Sequence, residues 1–315
     1  MAVQQHAGDT RVSTLRIRLF GGFQLERDGQ SIGRFPSRKV RDLLAYLALN
    51  RQTTHSREHL AGLLWGDSDD ERARHSLNTA LWRLNGVLDT RSGDSRRAYL
   101  RATPQEIAMS STADVWLDVA EFESRCALAE RAQTPEARAA LEHQAVSFYT
   151  GDLLPDCYED WCDLERERLR CLYLGVLQRL VRYHASRHEH DAAIDVARRI
   201  LACDSLREEV HRELIELYLA AGQPVAALRQ YRQCEDLLQR ELAVAPMRET
   251  QALLARILAA QQPRIGAAAR TASSVGGSSL LADIARELAA TVALVQEASA
   301  ACNQMQARLR ELAVP

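Results

Sequence analysis

The stretch Glu71-Arg72-Ala73-Arg74-His75-Ser76-Leu77-Asn78-Thr79-Ala80-Leu81-Trp82-Arg83-Leu84-Asn85-Gly86-Val87-Leu88 reads as one helix with two chemically different faces. Leu77, Leu81, Leu84 and Leu88 recur at intervals of four, three and four, which lines them up as a buried stripe. At about 100° per residue, Arg72, His75, Thr79 and Trp82 fall opposite, with Asn78 and Arg83 flanking them. Arginine, histidine, asparagine and threonine offer donors and acceptors suited to base edges and phosphates. A solvated helix face would also be polar, so the neighbouring elements decide between the two.

Two shorter helices precede this one. Ser37 is placed to cap a helix in which Val40, Leu43, Leu44 and Leu47 recur at helical spacing through about Leu49. Ser56 is placed to cap another, with Leu60, Leu63 and Leu64 as its apolar stripe. Further upstream, Leu15, Ile17 and Leu19 alternate, Gly21-Gly22 interrupts, and Phe23 and Leu25 resume before the hairpin signal Asp28-Gly29. This predicts a small antiparallel sheet. Downstream, Arg91 to Ser110 reads as a hairpin with a basic tip, in which Arg96, Arg97 and Arg101 surround Tyr99-Leu100 and Pro104 marks a turn. Sheet, three helices and hairpin, in that order, describe a winged helix whose third helix enters the major groove.

Composition narrows the remaining classes. The chain has 315 residues, 46% hydrophobic and 26% charged, the balance of an ordinary globular protein of about two domains. No run of apolar residues is long enough to span a bilayer, and Met1 to Thr14 has no signal-peptide core, so the expected location is the cytoplasm. The seven cysteines are odd in number and irregularly spaced, which predicts reduced, buried thiols. Lys39 is the sole lysine, and Val40 follows it, so there is no phosphate-binding P-loop. No other catalytic or cofactor signature occurs, and the expectation is a non-enzyme without cofactor or metal. Net charge is −2, yet residues 1–105 carry +6 and the remainder −8, which suggests a polyanion-binding head on a protein-facing body.

From Asp114 to about Gln262 the chain reads as all helix, with breaks near Thr134-Pro135, Gly151 to Pro155, Gly222 to Pro224 and Ala245-Pro246. Tyr183 with Ala192-Ala193-Ile194 resembles Tyr218 with Ala226-Ala227-Leu228 at an offset of 34 to 35 residues, the tetratricopeptide (TPR) period. His188-Glu189-His190-Asp191 could suggest a metal, but reads as the turn between two repeat helices. Residues 264–279, rich in Gly, Ala and Ser, read as a linker. A heptad seam follows: Leu281, Ile284, Leu288, Thr291, Val295, Ala298, Cys302, Met305, Leu309 and Leu312. It predicts a coiled-coil helix that joins two chains, or one that docks on its own body.

Several of these segments together resemble the SARP-type bacterial transcriptional activators. Leu15-Arg16-Ile17-Arg18-Leu19-Phe20-Gly21-Gly22-Phe23 is similar to their opening, Ser37 to Leu47 to their first helix, Leu63-Leu64-Trp65 to the end of the second, and Ala80 to Leu84 to the core of the recognition helix. Asp114-Val115-Trp116, Tyr149 to Leu154, Trp161 with Glu165-Arg166, and Ala220-Ala221-Gly222 with Tyr231 resemble their transcriptional activation domain. Asn85 and Trp82 depart from the pattern, which often has arginine and a small polar residue there.

The fold class implied is mainly α. An OmpR-type winged helix (15–112) would follow a disordered tail (1–14). A TPR-like activation domain (113–262), a linker (263–279) and a coiled-coil-type helix (280–315) would complete the chain. The resemblance implies sequence-specific binding to double-stranded DNA, often at direct repeats, and recruitment of RNA polymerase. His75, Asn78, Thr79 and Arg83 would read bases. Ser37, Arg38, Lys39, Arg57, Arg72, Arg74, Arg96, Arg97 and Arg101 would hold the backbone. Asp67, Asp69, Asp70 and Glu71, in the loop before the recognition helix, would touch polymerase or merely form a solvated cap. Leu281, Ile284, Leu288, Val295, Cys302, Met305 and Leu309 would make a dimer. A small-molecule or protein effector remains open, no membrane is expected, and the competing reading is a TPR-type scaffold or ligand sensor that does not read DNA.

Overall fold

The computed structural model describes residues 14–33, 35–88 and 99–260. Residues 1–13 of the tail, the linker, the whole heptad seam, Arg96 and Arg97 lie outside the described residues, whereas Thr14, expected in the tail, is bonded to Asp28 and Asp114. The chain divides into two compact units between Arg187 and His188.

The first unit begins with strands β1 (Leu15–Arg18), β2 (Gln24–Arg27) and β3 (Gln30–Ser31). Leu15 and Ile17 are buried while Arg16 and Arg18 are exposed, the two-residue alternation of a half-buried strand. Asp28 and Gly29 turn the chain from β2 to β3 with φ of 51° and 78°. A two-residue hairpin that matches strand twist needs positive φ at both central positions. The sheet is not wholly antiparallel as predicted. A fourth strand, β7 (Val115–Leu117), pairs parallel to β1 and gives the order β3-β2-β1-β7. Residues 115–117 are thus strand, where helical periodicity predicts helix.

Helices α1 (Arg38–Leu49), α2 (Arg57–Trp65) and α3 (Asp70–Leu88) follow the sheet. Ser37 Oγ accepts from Val40 N at 3.4 Å and Ser56 Oγ from His59 N at 3.1 Å, so both predicted caps form. Between α1 and α2, β4 (His55–Ser56) joins β5 (Leu100–Ala102) and β6 (Glu106–Met109) in the order β4-β6-β5. The hairpin tip is Thr103-Pro104-Gln105 and holds no arginine; Arg101 lies on β5 with its side chain exposed. The predicted basic tip is therefore wrong for these residues: the turn centres on Pro104, and Arg101 lies on the strand before it.

Helices α4 (Asp118–Glu130), α5 (Pro135–Phe148) and α6 (Asp160–Ser186) complete the first unit. The chain between α5 and α6 returns to the N-terminal sheet: Leu154 N donates to Leu19 O at 3.0 Å, and Gly21 N to Asp152 O at 3.0 Å. Gly21 has φ of 72°, and a Cβ on Gly151 would stand 3.0 Å from the Gly21 Cα, so this crossing needs glycine on both chains. The expected division at 112/113 falls inside this unit, because β7 and the 149–154 segment are bonded to β1 and its continuation.

The second unit contains α7 (His190–Cys203), α8 (Glu208–Ala220), α9 (Pro224–Leu242) and a helical stretch at 248–260. Helix α8 packs against α7 and α9, and Ile194, Ala197, Leu214, Tyr218, Ala227 and Tyr231 of these helices are buried. The repeat is visible in the backbone. His188 and Gly222 occupy equivalent turn positions 34 residues apart, with φ of 59° and 68°. Of the His188 to Asp191 run, only His188 and Glu189 lie in the connection; His190 and Asp191 begin α7.

His211 is buried, at 1% exposure. Its Nε2–H donates to the Ser205 carbonyl at 2.9 Å, and its Nδ1 accepts from the Gln230 amide at 2.7 Å. Burial pushes its pKa below the ordinary histidine value, and the Ser205 bond opposes the shift only in part. The folded chain then binds fewer protons than the unfolded chain just below pH 6.5. This stabilisation is full above the unfolded pKa and is lost as pH falls through the folded one, by at most about 1.4 kcal/mol per pH unit. Urea unfolding at pH 7.5 and 5.5 checks it: wild type is expected to lose more stability over that interval than His211→Gln.

Candidate nucleic-acid interface

The apolar stripe of α3 is buried as the spacing requires. Ala73, Leu77, Ala80, Leu81, Leu84 and Leu88 face inward, and the helix packs on α1 and α2. Asp69 Oδ1 accepts from Arg72 N at 2.9 Å and begins the helix, while Asp69 Oδ2 pairs with Arg72 Nε at 3.2 Å. Asp70 and Glu71 lie in the first turn, where carboxylates complement the helix dipole. Asp67, Asp70 and Glu71 are exposed and make no ion pair among the described residues.

The outward face carries His75, Asn78, Trp82 and Arg83 as exposed side chains and Thr79 half-buried. These residues divide into two groups. Asn78 is engaged: its Oδ1 accepts from Arg57 Nη1 at 2.6 Å. Arg57 Nε also donates to the Thr103 carbonyl at 2.7 Å, and its backbone N to Gln105 O at 3.0 Å. One guanidinium at the start of α2 therefore fastens the hairpin tip to α3. Close by, Arg74 Nη2 pairs with Glu58 Oε1 at 2.9 Å. A cleft of about 640 Å³ opens between these elements, lined by Ser56, Glu58, Arg74, Leu77, Asn78 and Pro104 among others. His75, Thr79, Trp82, Arg83 and Arg101, by contrast, make no side-chain hydrogen bond or ion pair with another described residue. Their polar groups are left to water or to a ligand.

The residues predicted to hold phosphates at the start of α1 are gathered elsewhere. Lys39 Nζ pairs with Glu159 Oε1 at 2.6 Å. Arg38 Nη2 donates to the Asp156 carbonyl, and its guanidinium lies 4.9 Å from the Tyr158 ring centroid. The Ser37 hydroxyl is used as the helix cap. Beneath them Asp42 is fully buried, its carboxyl pushed up by burial against the opposing pull of Arg41. Trp161 at the start of α6 packs edge-on against Tyr46 of α1, ring centroids 5.2 Å apart. These contacts join α1 to the segment that precedes α6. No local pattern announces them, because the pairs are separated by more than 100 positions.

The N-terminal sheet, three helices and hairpin, with a polar outward face on α3, are followed in the chain by further helices. Residues 117–258 match the model of the bacterial transcriptional activator domain. The chain is similar to the transcriptional regulatory protein MoaR1 of Mycobacterium bovis BCG and of Mycobacterium tuberculosis. Identity is 24% over 253 residues, which are 79% of this chain and 81% of each relative. The fold resembles that of Mycobacterium tuberculosis EmbR, solved with a low-affinity phosphopeptide: TM-score 0.61, 20% identity, 90% of this chain and 71% of that one covered. By the activator-domain match and these relatives, the chain is similar to the SARP-type transcriptional activators.

Proposed function

We propose that this activator binds specific sequences of double-stranded DNA, with α3 in the major groove and the β5–β6 hairpin beside the phosphate backbone. The observation that carries the reading is the division of the α3 face. Arg57 holds hairpin and helix together through Asn78 and Thr103, while His75, Thr79 and Arg83 keep their polar groups uncommitted among the described residues. His75, Thr79 and Arg83 read bases; Arg72, Arg74 and Arg101 supply backbone contacts. Asn78 and Arg57 act first as the fastener, and Arg38 and Lys39 hold the segment before α6 rather than phosphate.

The DNA-reading elements lie within residues 15–112, and the activation function is carried by the helices of residues 117–258. The protein acts in the cytoplasm; among the described residues no helix is long and apolar enough to cross a membrane.

Selection of genomic fragments by the purified full-length chain, followed against salt, tests the reading. A repeated motif whose binding survives salt better than random DNA supports it. No enrichment sinks it and favours a scaffold. RNA polymerase is the second partner, reached through the exposed acidic run Asp67 to Glu71, which spans the loop before α3 and its first turn. Asp67→Asn with Asp70→Asn spares the cap that Asp69 makes. This double variant is expected to reduce transcription from a bound promoter about fivefold or more while DNA affinity changes less than twofold, the effect of weakening one charged protein–protein interaction. Equal transcription from both proteins would assign the loop to solvation alone.

A further inference from the structure

Trp82 is 77% exposed in the middle of the outward face of α3. At about 100° per residue, His75, Thr79, Trp82 and Gly86 lie within roughly 60° of one another, so the indole shares the centre of that face. It has no aromatic or cation partner among the described residues, and one turn further on Gly86 has no side chain. The fold gains nothing from leaving so large an apolar group in water. The neighbours are polar or cationic: His75, Thr79 and Arg83. This is the charge pattern that suits a polyanion.

In the major groove the edges of the base pairs present donors and acceptors, and a single apolar group, the 5-methyl of thymine. An indole placed among polar readers has one complementary feature to meet there. Wedging between base steps is a minor-groove device and does not fit a helix lying in the major groove.

We infer that Trp82 reads a thymine methyl group and so requires an A·T pair at a fixed position in the bound site. The inference rests on α3 being the recognition helix. The test uses a duplex enriched by the full-length chain, with each thymine replaced in turn by deoxyuridine, which removes the methyl group and leaves base pairing intact. Wild type is expected to lose about fourfold in affinity at one thymine per bound site, the value of one methyl group returned to water. Trp82→Ala is expected to bind the thymine duplex severalfold more weakly than wild type and to show no difference between thymine and deoxyuridine at that position. Trp82→Phe, which keeps an apolar ring, is expected to retain most of the discrimination.

Wild-type binding indifferent to every deoxyuridine overturns the inference and leaves DNA reading standing. So does an alanine variant with wild-type sensitivity. If that variant also binds DNA normally but fails to activate transcription, Trp82 belongs to a protein contact instead. Failure of DNA reading itself would show earlier and separately, as no enriched duplex at all, and failure of α3 as the reading helix as unchanged specific affinity in Arg83→Ala and Trp82→Ala together.

Discussion

Replacing Asp118 by alanine is expected to remove about 4 kcal/mol of folding stability, from two or three backbone donors left without a partner. Asp118 is the first residue of α4 and is 4% exposed. One carboxylate oxygen accepts from Leu19 N at 3.0 Å and Val119 N at 2.8 Å; the other accepts from Leu19 N at 2.9 Å and Phe20 N at 3.0 Å. Leu19 and Phe20 are themselves buried, so water cannot easily replace the carboxylate. Against a typical total of roughly 5–15 kcal/mol, the loss is large. Asp118→Asn keeps the shape and one acceptor oxygen but turns an NH₂ toward backbone N–H groups, so it should fall between wild type and alanine. Urea unfolding of the full chain measures all three proteins. An alanine variant as stable as wild type would mean that water or a rearranged backbone satisfies the Leu19 and Phe20 donors.

Asp118 also shows where the sequence stops being readable. The amphipathic period of α3, the caps at Ser37 and Ser56 and the Asp28-Gly29 hairpin are local patterns, and each of them forms. Strand β7 is three residues long and its partner β1 lies 100 positions away, so Val115-Trp116-Leu117 could equally begin a helix by periodicity alone. Only the sheet decides. The hairpin and its turn were legible through Pro104, Ile107 and Met109; what failed was the basic character expected of the tip, since Arg101 lies on β5 and the turn itself holds no arginine. The repeat was faint because His188 stands where the next turn has Gly222; left-handed backbone in a histidine carries no sequence flag.

The candidate site divides in the same manner. Which residues face outward on α3 follows from the period of the helix. Which of them are already occupied does not. Arg57 and Asn78 meet across 21 positions, and Lys39 and Glu159 across 120. Exposed cations of one type look alike in a sequence, and only their partners separate those that brace the fold from those available to a ligand. Trp82 is the converse case. Its angle on the helix placed it outward, but nothing in the sequence excluded cover by the hairpin, and its exposure settles that.

That distinction makes Arg83 the most informative residue for DNA reading. Its side chain is exposed and makes no ion pair among the described residues, one helical turn beyond Thr79 and beside Trp82. A guanidinium in the major groove engages guanine O6 and N7 together, and such a pair is worth about 1–3 kcal/mol of discrimination. Arg83→Ala is therefore expected to lower affinity for the selected site about 10- to 100-fold, while affinity for random DNA falls only severalfold. Arg83→Lys keeps the charge but not the planar fork, so it should restore random-DNA affinity without restoring the specific term. Arg74→Ala is the internal comparison: its guanidinium is already held by Glu58, and its removal is expected to weaken specific and random binding alike and modestly. Titrations of all four proteins on both duplexes at two salt concentrations decide the matter. If Arg83→Ala weakens binding equally on every sequence and lysine rescues it in full, Arg83 is a phosphate contact, and base reading falls to His75, Thr79 and Trp82.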